Sequence, residues 1–338
     1  MRYHYSMNLV QKSVSQGGKL APLVIPEGLI LGTGLMNPSI FIDSDGEILV
    51  NVRHINYILY HSENKQMFPS YWGPLAYLHP ENDMRLVSEN YICRLNSNLE
   101  MINHTRVEML NLHTPIWEFH GLEDARLVQW AGDYYICGVR RDTTTHGEGR
   151  MEYSKIELDK DSWTAKEINR VRMPAVDPYS YCEKNWMPVL DSPFTFVKWS
   201  MPTDVVVSSP VSPNTQQYVV KETPVAPSDQ RGSSHVFKWG QYYAAITHEV
   251  KLFNNYLGQK DGIYTHRLIL WDNEFNFKGL SNSFTFLDGR IEFCVGAAVF
   301  EGDLLTSFGF ADNAAFILRT PKSVVDDLVR EALNNYGN

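Results

Sequence analysis

The chain lacks the features that mark several large classes of protein. Its 30 Lys and Arg are outnumbered by 39 Asp and Glu, the net charge is −9, and no basic run is present. Because nucleic acids and anionic membranes are bound through clustered Lys and Arg, we expect neither as a partner. No apolar segment reaches the roughly 20 residues that cross a bilayer, and residues 1–8 lack the apolar core of a secretory signal. We therefore expect a cytoplasmic protein.

Cysteine is scarce, and the common catalytic fingerprints are missing. The four cysteines lie far apart without CxxC spacing, which predicts reduced thiols and not a zinc site or a disulfide framework. The sequence contains no GxGxxG, P-loop, GxSxG or HExxH motif. We therefore expect no metal and no bound cofactor; a metal held by His248, Glu249 and Asp312 is the weaker alternative.

Apolar and aromatic residues are plentiful instead. Hydrophobic residues make up 43% of the 338 residues and charged residues 20%, which is enough to bury a sizeable core. The chain has 8 Trp, 18 Tyr and 16 Phe. Aromatic rings suit β-sheet packing, and they also suit sugar recognition, because the C–H faces of a pyranose pack on rings.

A turn followed by an apolar strand recurs along the chain. The turns lie near positions 46, 132, 192, 240 and 302, and no long helical pattern separates them. Regular repeats in an all-β chain indicate propeller blades of about four strands. We predict one domain over residues 1–338, a five-bladed β-propeller with blades at roughly 30–80, 81–148, 149–206, 207–262 and 263–320. A pair of β-sandwiches is the alternative.

The two ends of the chain have different patterns. Residues 1–30 contain several Gly and Pro and are predicted to be irregular. Residues 321–335 place apolar side chains at a period of 3.6, which predicts a short C-terminal helix with Ser323 as its N-cap.

One stretch, residues 117–127, places two adjacent carboxylates and an arginine directly before a strand. In an extended chain successive side chains point to opposite faces, so Asp124 and Arg126 should share one face and Glu123 should lie on the other. Arg126 would then keep one acid ionised. Taken alone, the stretch could equally be a surface turn with a salt bridge.

Similar polar groups accompany each repeat. Because the inner strands of a propeller line one central channel, residues at equivalent places in the blades should converge at one mouth. The predicted pocket combines Asn37, Arg53, Asp124, Lys184, His248 and Asp312.

In these residues the chain resembles glycoside hydrolase family 130, the five-bladed β-mannoside phosphorylases and mannosidases, and related mannosyltransferases. The Glu-Asp-Pro-Arg phrase of the family is similar to residues 123–126, and its Asn-Pro and strand-terminal Arg to Asn37-Pro38 and Arg53. Its Lys-Asp phrase is similar to Lys184-Asn185, its Tyr-His-Gly phrase to residues 247–249, and its Tyr-Gly-Ala-Ala-Asp phrase to residues 308–312. The matches occur in order and span residues 37–312.

The resemblance implies roles for these residues. Asp124 would be the catalytic acid, which protonates the glycosidic oxygen through a sugar hydroxyl while phosphate attacks the anomeric carbon. Asn37, Arg53 and Asp312 would hold the sugar, and Glu123, Arg126, Lys184 and Asn185 would complete the pocket. His248 with nearby basic residues, such as Arg140 and Arg141, would bind phosphate.

Glu249 departs from the family pattern, because a carboxylate replaces the glycine beside a phosphate site. Such a carboxylate repels phosphate unless it points away or pairs with an arginine. The prediction is therefore a carbohydrate-active enzyme that acts with inversion at a mannoside-like bond. Phosphorolysis and transfer from a nucleotide-sugar are both open, with inorganic phosphate or the nucleotide-sugar as co-substrate. Hydrolysis and a non-catalytic glycan-binding propeller are the alternatives, and a homo-oligomer is compatible with the sequence.

Overall fold

The computed structural model describes residues 7–25, 34–58, 67–68, 75–77, 85–209, 214–254 and 260–336. Within these ranges the chain forms two helices, α1 (Leu9–Ser15) and α2 (Lys322–Tyr336), and its other regular structure is strand. The predicted all-β class is confirmed. Residues 1–6 and 26–30 of the predicted irregular N-terminal segment lie outside the described residues.

The strands are numbered in chain order. The first fourteen are β1 Met7–Asn8, β2 Lys19–Pro22, β3 Leu35–Ile42, β4 Ile48–Ile55, β5 Tyr57–Ile58, β6 Met67–Phe68, β7 Leu75–Tyr77, β8 Leu86–Leu95, β9 Met101–Glu108, β10 Phe119–His120, β11 Leu122–Trp130, β12 Asp133–Arg140, β13 Arg150–Asp159 and β14 Thr164–Arg172. The others are β15 Met187–Pro188, β16 Thr195–Trp199, β17 Thr203–Ser208, β18 Thr215–Lys221, β19 Arg231–Gly232, β20 Phe237–Trp239, β21 Tyr242–Asn254, β22 Lys260–Trp271, β23 Phe277–Leu280, β24 Phe284–Thr285, β25 Glu292–Phe300, β26 Asp303–Phe310 and β27 Ala314–Thr320.

Antiparallel pairing groups most of the described strands into five ladders. In chain order the ladders are β3-β4-β8-β9, β11-β12-β13-β14, β15-β16-β17-β18, β20-β21-β22-β23 and β25-β26-β27 with β2. A two-residue parallel contact between β14 and β9 joins the first two ladders into one larger sheet. A small sheet, β5-β7-β6, stands apart from the ladders.

Each of the five predicted turns is a hairpin. The turns join β3 to β4, β11 to β12, β15 to β16, β20 to β21 and β25 to β26, and all five pairs are antiparallel. Gly46 and Gly132 sit in these turns with φ of 80° and 88°. A left-handed turn residue matches the twist of the flanking strands, and glycine adopts it without steric cost. The turn signal in the sequence therefore has a local physical cause.

The first strands of four of the five ladders meet at a centre formed by β3 and β25. Strand β3 contacts β11 and β25, and β25 contacts β20 and β21. The buried His235 ties this centre together, because its Nε2 donates to the Leu127 carbonyl at 2.8 Å and its Nδ1 accepts from the Ala297 amide at 3.3 Å. Burial lowers the pKa of His235 to about 3. The ring therefore stays neutral and serves as a structural hub.

The N-terminal segment is more ordered than the sequence predicts. Helix α1 begins after Asn8, whose side chain accepts the Gln11 amide at 2.8 Å. Strand β2 pairs with β27, so that a strand from the start of the chain completes the ladder formed by its end. The prediction of an irregular segment is wrong for these residues, because β2 is stabilised by a partner some 300 residues away that no local pattern can reveal.

The predicted C-terminal helix is confirmed, but its predicted N-cap is wrong. The helix begins at Lys322, and the Val324 amide donates to the Pro321 carbonyl at 2.9 Å. Ser323 lies inside the first turn, and its hydroxyl hydrogen-bonds Gln16 at 3.0 Å. The apolar face packs against the fourth and fifth ladders through Val324, Val325 and Leu328.

Candidate active site

The Glu123-Asp124 pair lies on a break in the regular geometry of β11. The register with β12 shifts between Glu123 and Arg126, and Asp124 has a φ of 49°. Because a bulge interrupts the alternation of side chains, Glu123 and Asp124 both reach Arg53. The prediction that the two acids lie on opposite faces is therefore wrong. A side chain at Gly138 would place its Cβ 2.5 Å from the Glu123 carbonyl oxygen, so the bulge needs a glycine opposite it.

Arg53 is the centre of the resulting cluster. Its Nη1 donates to Asp124 Oδ1 at 3.0 Å, and its Nη2 lies 2.9 Å from the Tyr57 hydroxyl and 3.3 Å from Glu123 Oε2. Its Nε donates to the Ser88 hydroxyl at 2.9 Å. Burial alone would lower the pKa of the guanidinium, but Tyr57, Asp124 and Glu123 raise it above its ordinary value. Arg53 is therefore a fixed, permanent cation.

Asn37 reaches the same carboxylate from the first ladder. Its Nδ2 donates to Asp124 Oδ1 at 2.7 Å. Like Asp124, Asn37 has a positive φ (48°) and sits where its strand shifts register, between Met36 and Ser39. The first strands of two ladders thus present a polar side chain from the same kind of bulge. We call Asn37, Arg53, Tyr57, Glu123, Asp124 and Asp312 the carboxylate cluster.

The two aspartates of the carboxylate cluster differ in acidity. Burial alone would raise the pKa of Asp124, but Arg53 and the hydrogen bond from Asn37 hold it below its ordinary value. Burial raises the pKa of Asp312 to about 6, with Arg53 opposing the rise and Asp124 adding to it. The raised pKa expected of an acid is therefore found at Asp312 and not at Asp124. Both Asp124 and Glu123 keep some contact with solvent, with 17% and 15% of their side chains exposed.

Arg126 does not pair with the side chain of Asp124. Its Nη1 donates to the Asp124 carbonyl at 2.6 Å, and its Nε and Nη2 donate to the Ser233 carbonyl at 3.1 and 2.7 Å. The guanidinium is buried, and burial lowers its pKa to about 10. Arg126 thus stabilises the bulge in β11. It also links the second ladder to Ser233, which follows β19 and precedes the fourth ladder. Arg53 takes over the role of ion partner that the sequence suggested for Arg126.

His248 lies buried on β21 beside a group of cations. Its ring stacks on Tyr264 at 5.9 Å between centroids and meets Phe293 edge-on at 4.8 Å. Burial lowers the pKa of His248 well below its ordinary value, and the charges of Arg231 and Lys184 lower it further. The imidazole is therefore neutral. Its Nδ1 has no hydrogen-bond partner among the described residues.

Lys184 connects His248 to the carboxylate cluster. Its charge acts on both His248 and Asp124, and its side chain is exposed. The neighbouring Asn185 is buried with a φ of 61°, and its Oδ1 has no partner in the described part of the chain. Among the six predicted pocket residues, Asn37 and Arg53 bind Asp124 directly, and the charge of Lys184 acts on both Asp124 and His248. That all six line one pocket stays a prediction.

Arg231 is a neighbour of His248 that the sequence did not mark as an anion ligand. The two residues face each other across β19 and β21, and Asp229 holds the guanidinium through a 2.8 Å hydrogen bond from Nε. Cross-strand register depends on the folded sheet, so no short motif could have paired them. Tyr57 was also missed as the partner of Arg53, although a spacing of four residues in the sequence connects them.

Glu249 points away from His248. Its Oε1 accepts from the Thr265 hydroxyl at 2.6 Å, and its Oε2 accepts from Gln230 Nε2 at 3.0 Å and from Ser228. Arg267 lies 3.9 Å from the same carboxylate. The carboxylate of Glu249, which departs from the family pattern, is thus bound by partners on the other face of β21. Successive side chains of a strand point to opposite faces, so His248 and Glu249 have different surroundings.

Arg140 and Arg141 bind groups outside the carboxylate cluster. Arg140 is buried and donates to Glu152 at 2.7 Å and to Asp142 at 3.3 Å. Arg141 donates to the Gly147 carbonyl at 3.0 Å and sits over the Phe119 and Tyr181 rings. The bonds of Arg140 are those of a structural ion cluster, and Arg141 belongs to a loop at the rim. The charges of Arg231 and Lys184, in contrast, help to lower the pKa of His248.

Within the described ranges, no three His, Cys, Asp or Glu side chains are grouped so that they could hold a metal ion. The four cysteines are free, and three of them are buried. In the same part of the chain no helix is long and apolar enough to cross a membrane.

No protein-family model matches the chain, and no curated protein sequence matches it. Solved structures do. A β-1,2-mannobiose phosphorylase from Listeria innocua, in complex with β-1,2-mannobiose, matches with a TM-score of 0.55 and 14% identity over 92% of this chain and 97% of the other. A mannose phosphorylase from Leishmania mexicana, in complex with phosphate ion, matches with a TM-score of 0.50 and 8% identity over 92% of both chains.

A third similar structure is described by the statement that the GH130 family of mannoside phosphorylases contains glycoside hydrolases that target β-1,2 mannosidic linkages in Candida mannan. It matches with a TM-score of 0.56 and 11% identity over 86% of this chain and 85% of the other. At these identities the likeness concerns the fold. The chain has a GH130-like fold, as the resemblance in its sequence predicted.

Proposed function

We propose that this chain, with its GH130-like fold, is a carbohydrate-active enzyme that makes or breaks a mannoside-like bond with inversion. One observation carries the proposal. Two partly exposed carboxylates from β11 share a single buried arginine, and Asn37 binds the same oxygen of Asp124 that Arg53 binds. Asp124 has a lowered pKa and Asp312 a raised one, and two carboxyls whose pKa values differ in this way are typical of acid–base chemistry at a glycosidic bond.

The five antiparallel ladders are, in this proposal, the blades of one propeller. The mutual contacts of β3, β11, β25, β20 and β21 support a common axis, and the pairing of β2 with β27 supports closure of the ring. Asn37, Asp124 and Lys184 then come from the first strands of three blades, or from the residues just before them. This arrangement explains why residues so distant in sequence surround one pocket.

Asp124 is the acid–base group in this proposal. In the direction of bond formation, Asp124 removes a proton from the attacking hydroxyl of an acceptor sugar. Its ionised resting state suits this step. In the direction of bond cleavage it returns that proton through the sugar hydroxyl. Arg53 and Asn37 stabilise the ionised form, and a positioned group of this kind contributes about 10² to 10⁴ in rate.

Asp312 completes the sugar site. With a pKa of about 6 its carboxyl is available both as a donor and as an acceptor near neutral pH. Such a group can hydrogen-bond a sugar hydroxyl in either direction. The charges of Arg53 and Asp124 act on Asp312, and its own charge acts on Tyr57, which supports a position over the same pocket.

The co-substrate is inorganic phosphate or the phosphate of a nucleotide-sugar. Lys184 and Arg231 supply positive charge around the neutral His248, and Glu249 is turned away. The similar structures described as phosphorylases, one of them in complex with phosphate ion, support this class of co-substrate. Lys184, Arg231 and His248 are therefore proposed as the anion ligands, in preference to Arg140 and Arg141.

The test is a panel of β-mannosides, incubated with and without phosphate and separately with nucleotide-sugars. We expect turnover of one combination and a fall of about 10² to 10⁴ in Asp124→Asn. Asp133→Asn is the matched control, because Asp133 is an exposed aspartate that pairs with Lys155 at the far end of β12. Release of free mannose without phosphate or nucleotide identifies a hydrolase instead. Near-full activity of Asp124→Asn contradicts the proposed mechanism.

A further inference from the structure

Tyr57 reaches the carboxylate cluster from outside the five ladders. It is the first residue of β5 and pairs with Tyr77 in the small sheet β5-β7-β6. The other members of the cluster lie on ladder strands or on the turn between β26 and β27. Only 3% of Tyr57 is exposed, so its hydroxyl is withdrawn from solvent. This hydroxyl has no role in the proposed mechanism.

The ring of Tyr57 is fixed by apolar packing. It belongs to a buried group with Met36, Ile55, Leu86 and Phe119, and it meets the Phe119 ring edge-on at 5.8 Å between centroids. Strands β8 and β10, which carry Leu86 and Phe119, pair with each other. A ring packed in this way has little freedom, so the position of its hydroxyl is set before a ligand binds.

Arg53 divides its hydrogen bonds between two carboxylates. Its Nη1 donates to Asp124 Oδ1 at 3.0 Å, and its Nη2 donates to Glu123 Oε2 at 3.3 Å. A guanidinium frequently binds one carboxylate through two parallel hydrogen bonds instead. At Arg53 the Tyr57 hydroxyl takes the closer position at Nη2, at 2.9 Å, and the Ser88 hydroxyl binds Nε at 2.9 Å. These two neutral oxygens compete with Glu123 for the nitrogens that a paired contact would need.

We propose that Tyr57 is a positioning residue, whose hydroxyl holds the Arg53 guanidinium so that Nη1 faces Asp124 and the contact with Glu123 stays long. This inference rests on the proposed function. The bulge in β11 turns both carboxylates toward one arginine, and the hydroxyl then decides which of them receives the closer contact. Tyr57 therefore assigns the acid–base role to Asp124 and not to its neighbour.

A neutral hydroxyl suits this role better than a carboxylate would. Burial raises the pKa of Tyr57, Arg53 opposes this rise, and Glu123, Asp124 and Asp312 add to it. The hydroxyl therefore keeps its proton. It accepts from Arg53 without neutralising it, so the charge of the guanidinium remains available to keep Asp124 ionised.

The test compares the native chain with Tyr57→Phe and Tyr91→Phe. Tyr57→Phe removes the hydroxyl and keeps the ring with its contact to Phe119. Tyr91 is the matched control, because it is also 3% exposed and its hydroxyl binds Glu89 at 3.4 Å, outside the carboxylate cluster. The first readout is the titration of the Asp124 carboxyl carbon by NMR, with its resonance assigned from the signal that is lost in Asp124→Asn.

The titration of Asp124 reports the position of Arg53. The charged groups around Asp124 are Arg53, Arg126, Lys184, Glu123 and Asp312. Tyr57→Phe alters none of these charges. We expect the midpoint of Asp124 to move to higher pH in Tyr57→Phe, because Nη2 is left with Glu123 and the guanidinium turns away from Asp124. The midpoint should stay unchanged in Tyr91→Phe.

The second readout is turnover of the mannoside on which the native chain acts. In Tyr57→Phe kcat should fall about tenfold, as expected for loss of a hydrogen bond to a charged group, while KM for the sugar stays within about twofold. Tyr91→Phe should keep the native kcat per folded molecule.

The two readouts separate failure of the inference from failure of the proposed function. An unchanged Asp124 midpoint in Tyr57→Phe refutes the positioning role, and so does a moved midpoint with full kcat; the proposed function is then decided by Asp124→Asn alone. An equal shift in Tyr91→Phe means that loss of any buried hydroxyl loosens the site, which also overturns the inference. A moved midpoint in a chain that turns over no mannoside removes the proposed function and leaves Tyr57 as the residue that positions Arg53.

Discussion

Two clusters of arginine and carboxylate share the second ladder and differ in their ratio of arginines to carboxylates. In the carboxylate cluster one arginine, Arg53, serves Glu123, Asp124 and Asp312. In the second cluster, which we call the β12–β14 ion cluster, three arginines serve three carboxylates. Its members are Arg140, Asp142, Glu152, Glu167, Arg170 and Arg172.

The ratio of arginines to carboxylates determines what each cluster can do. In the β12–β14 ion cluster Glu152 receives Arg140 at 2.7 Å and Arg172 at 3.0 Å, Arg170 binds Glu167 at 2.5 Å, and all three carboxylates are almost fully buried. Each carboxylate of this cluster thus has an arginine partner, and Arg140 Nη2 has no hydrogen-bond partner among the described residues. The carboxylate cluster has excess negative charge, partial exposure and one carboxyl with a raised pKa, which are signs of a functional site.

The largest expected effect comes from removing the central cation of each cluster. Arg53→Met removes the arginine partner of Glu123 and Asp124, and Arg140→Met removes that of Asp142 while Glu152 keeps Arg172. Each change should therefore lower the free energy of unfolding, by up to about 3–5 kcal/mol. Only Arg53→Met should also lower the rate of sugar turnover, by a factor of at least about 10², because Arg53 stabilises the ionised Asp124. Denaturant unfolding and the mannoside assay measure the two effects. Loss of turnover per folded molecule in Arg140→Met would erase the distinction between the clusters.

A smaller effect is expected from Asp312→Asn, as a dependence on pH. The carboxyl has a pKa of about 6 in the folded chain and an ordinary value of 3.8, so the folded state holds the proton more tightly. The stability that Asp312 contributes is thus complete below about pH 4 and is lost as pH rises to about 6. Asp312→Asn should be about 3 kcal/mol more stable than the native chain at pH 7 and no more stable at pH 3.5. Partial exposure of Asp312 reduces this difference through solvent screening.

Unfolding free energies across pH 3.5–7 measure the dependence on Asp312. A difference between native and variant that does not change with pH would show that the Asp312 carboxyl is not strained in the fold. The same variant should weaken binding of the sugar, because it removes an acceptor from the pocket. Under the proposed function, Asp312 costs stability at neutral pH and supplies a hydrogen-bonding group to the sugar.

The smallest expected effect separates two adjacent residues of β21. His248→Ala should raise the half-saturation for phosphate or a nucleotide-sugar about tenfold, as expected for loss of a hydrogen bond to a charged group. Glu249→Gln should change it by less than about twofold, because Glu249 is bound to Thr265 and Gln230 on the other face. Initial rates at varied co-substrate concentration give both values. A strong response to Glu249→Gln would place this carboxylate at the anion site after all.

The sequence by itself determined the features that depend on neighbours along the chain. Turn residues and β-rich segments placed the five hairpins, because a left-handed turn and an extended strand are local preferences. The 3.6 period of the last segment placed α2. The ordered short phrases around Asn37, Asp124 and Asp312 carried the resemblance that predicted the GH130-like fold.

Only the tertiary structure decided the roles of the charged residues. The bulge at Asp124 turned both acids toward Arg53, and Arg126 was taken up by two carbonyls. Arg53 and Arg140 both stand at the ends of strands in the sequence, yet Arg53 pairs with a partly exposed carboxylate and Arg140 with a buried one. The acidity of Asp312 and the surroundings of His248 likewise arise from residues brought together from several ladders. Charge interactions act through space over several ångströms, and the chain alone does not specify which charges meet.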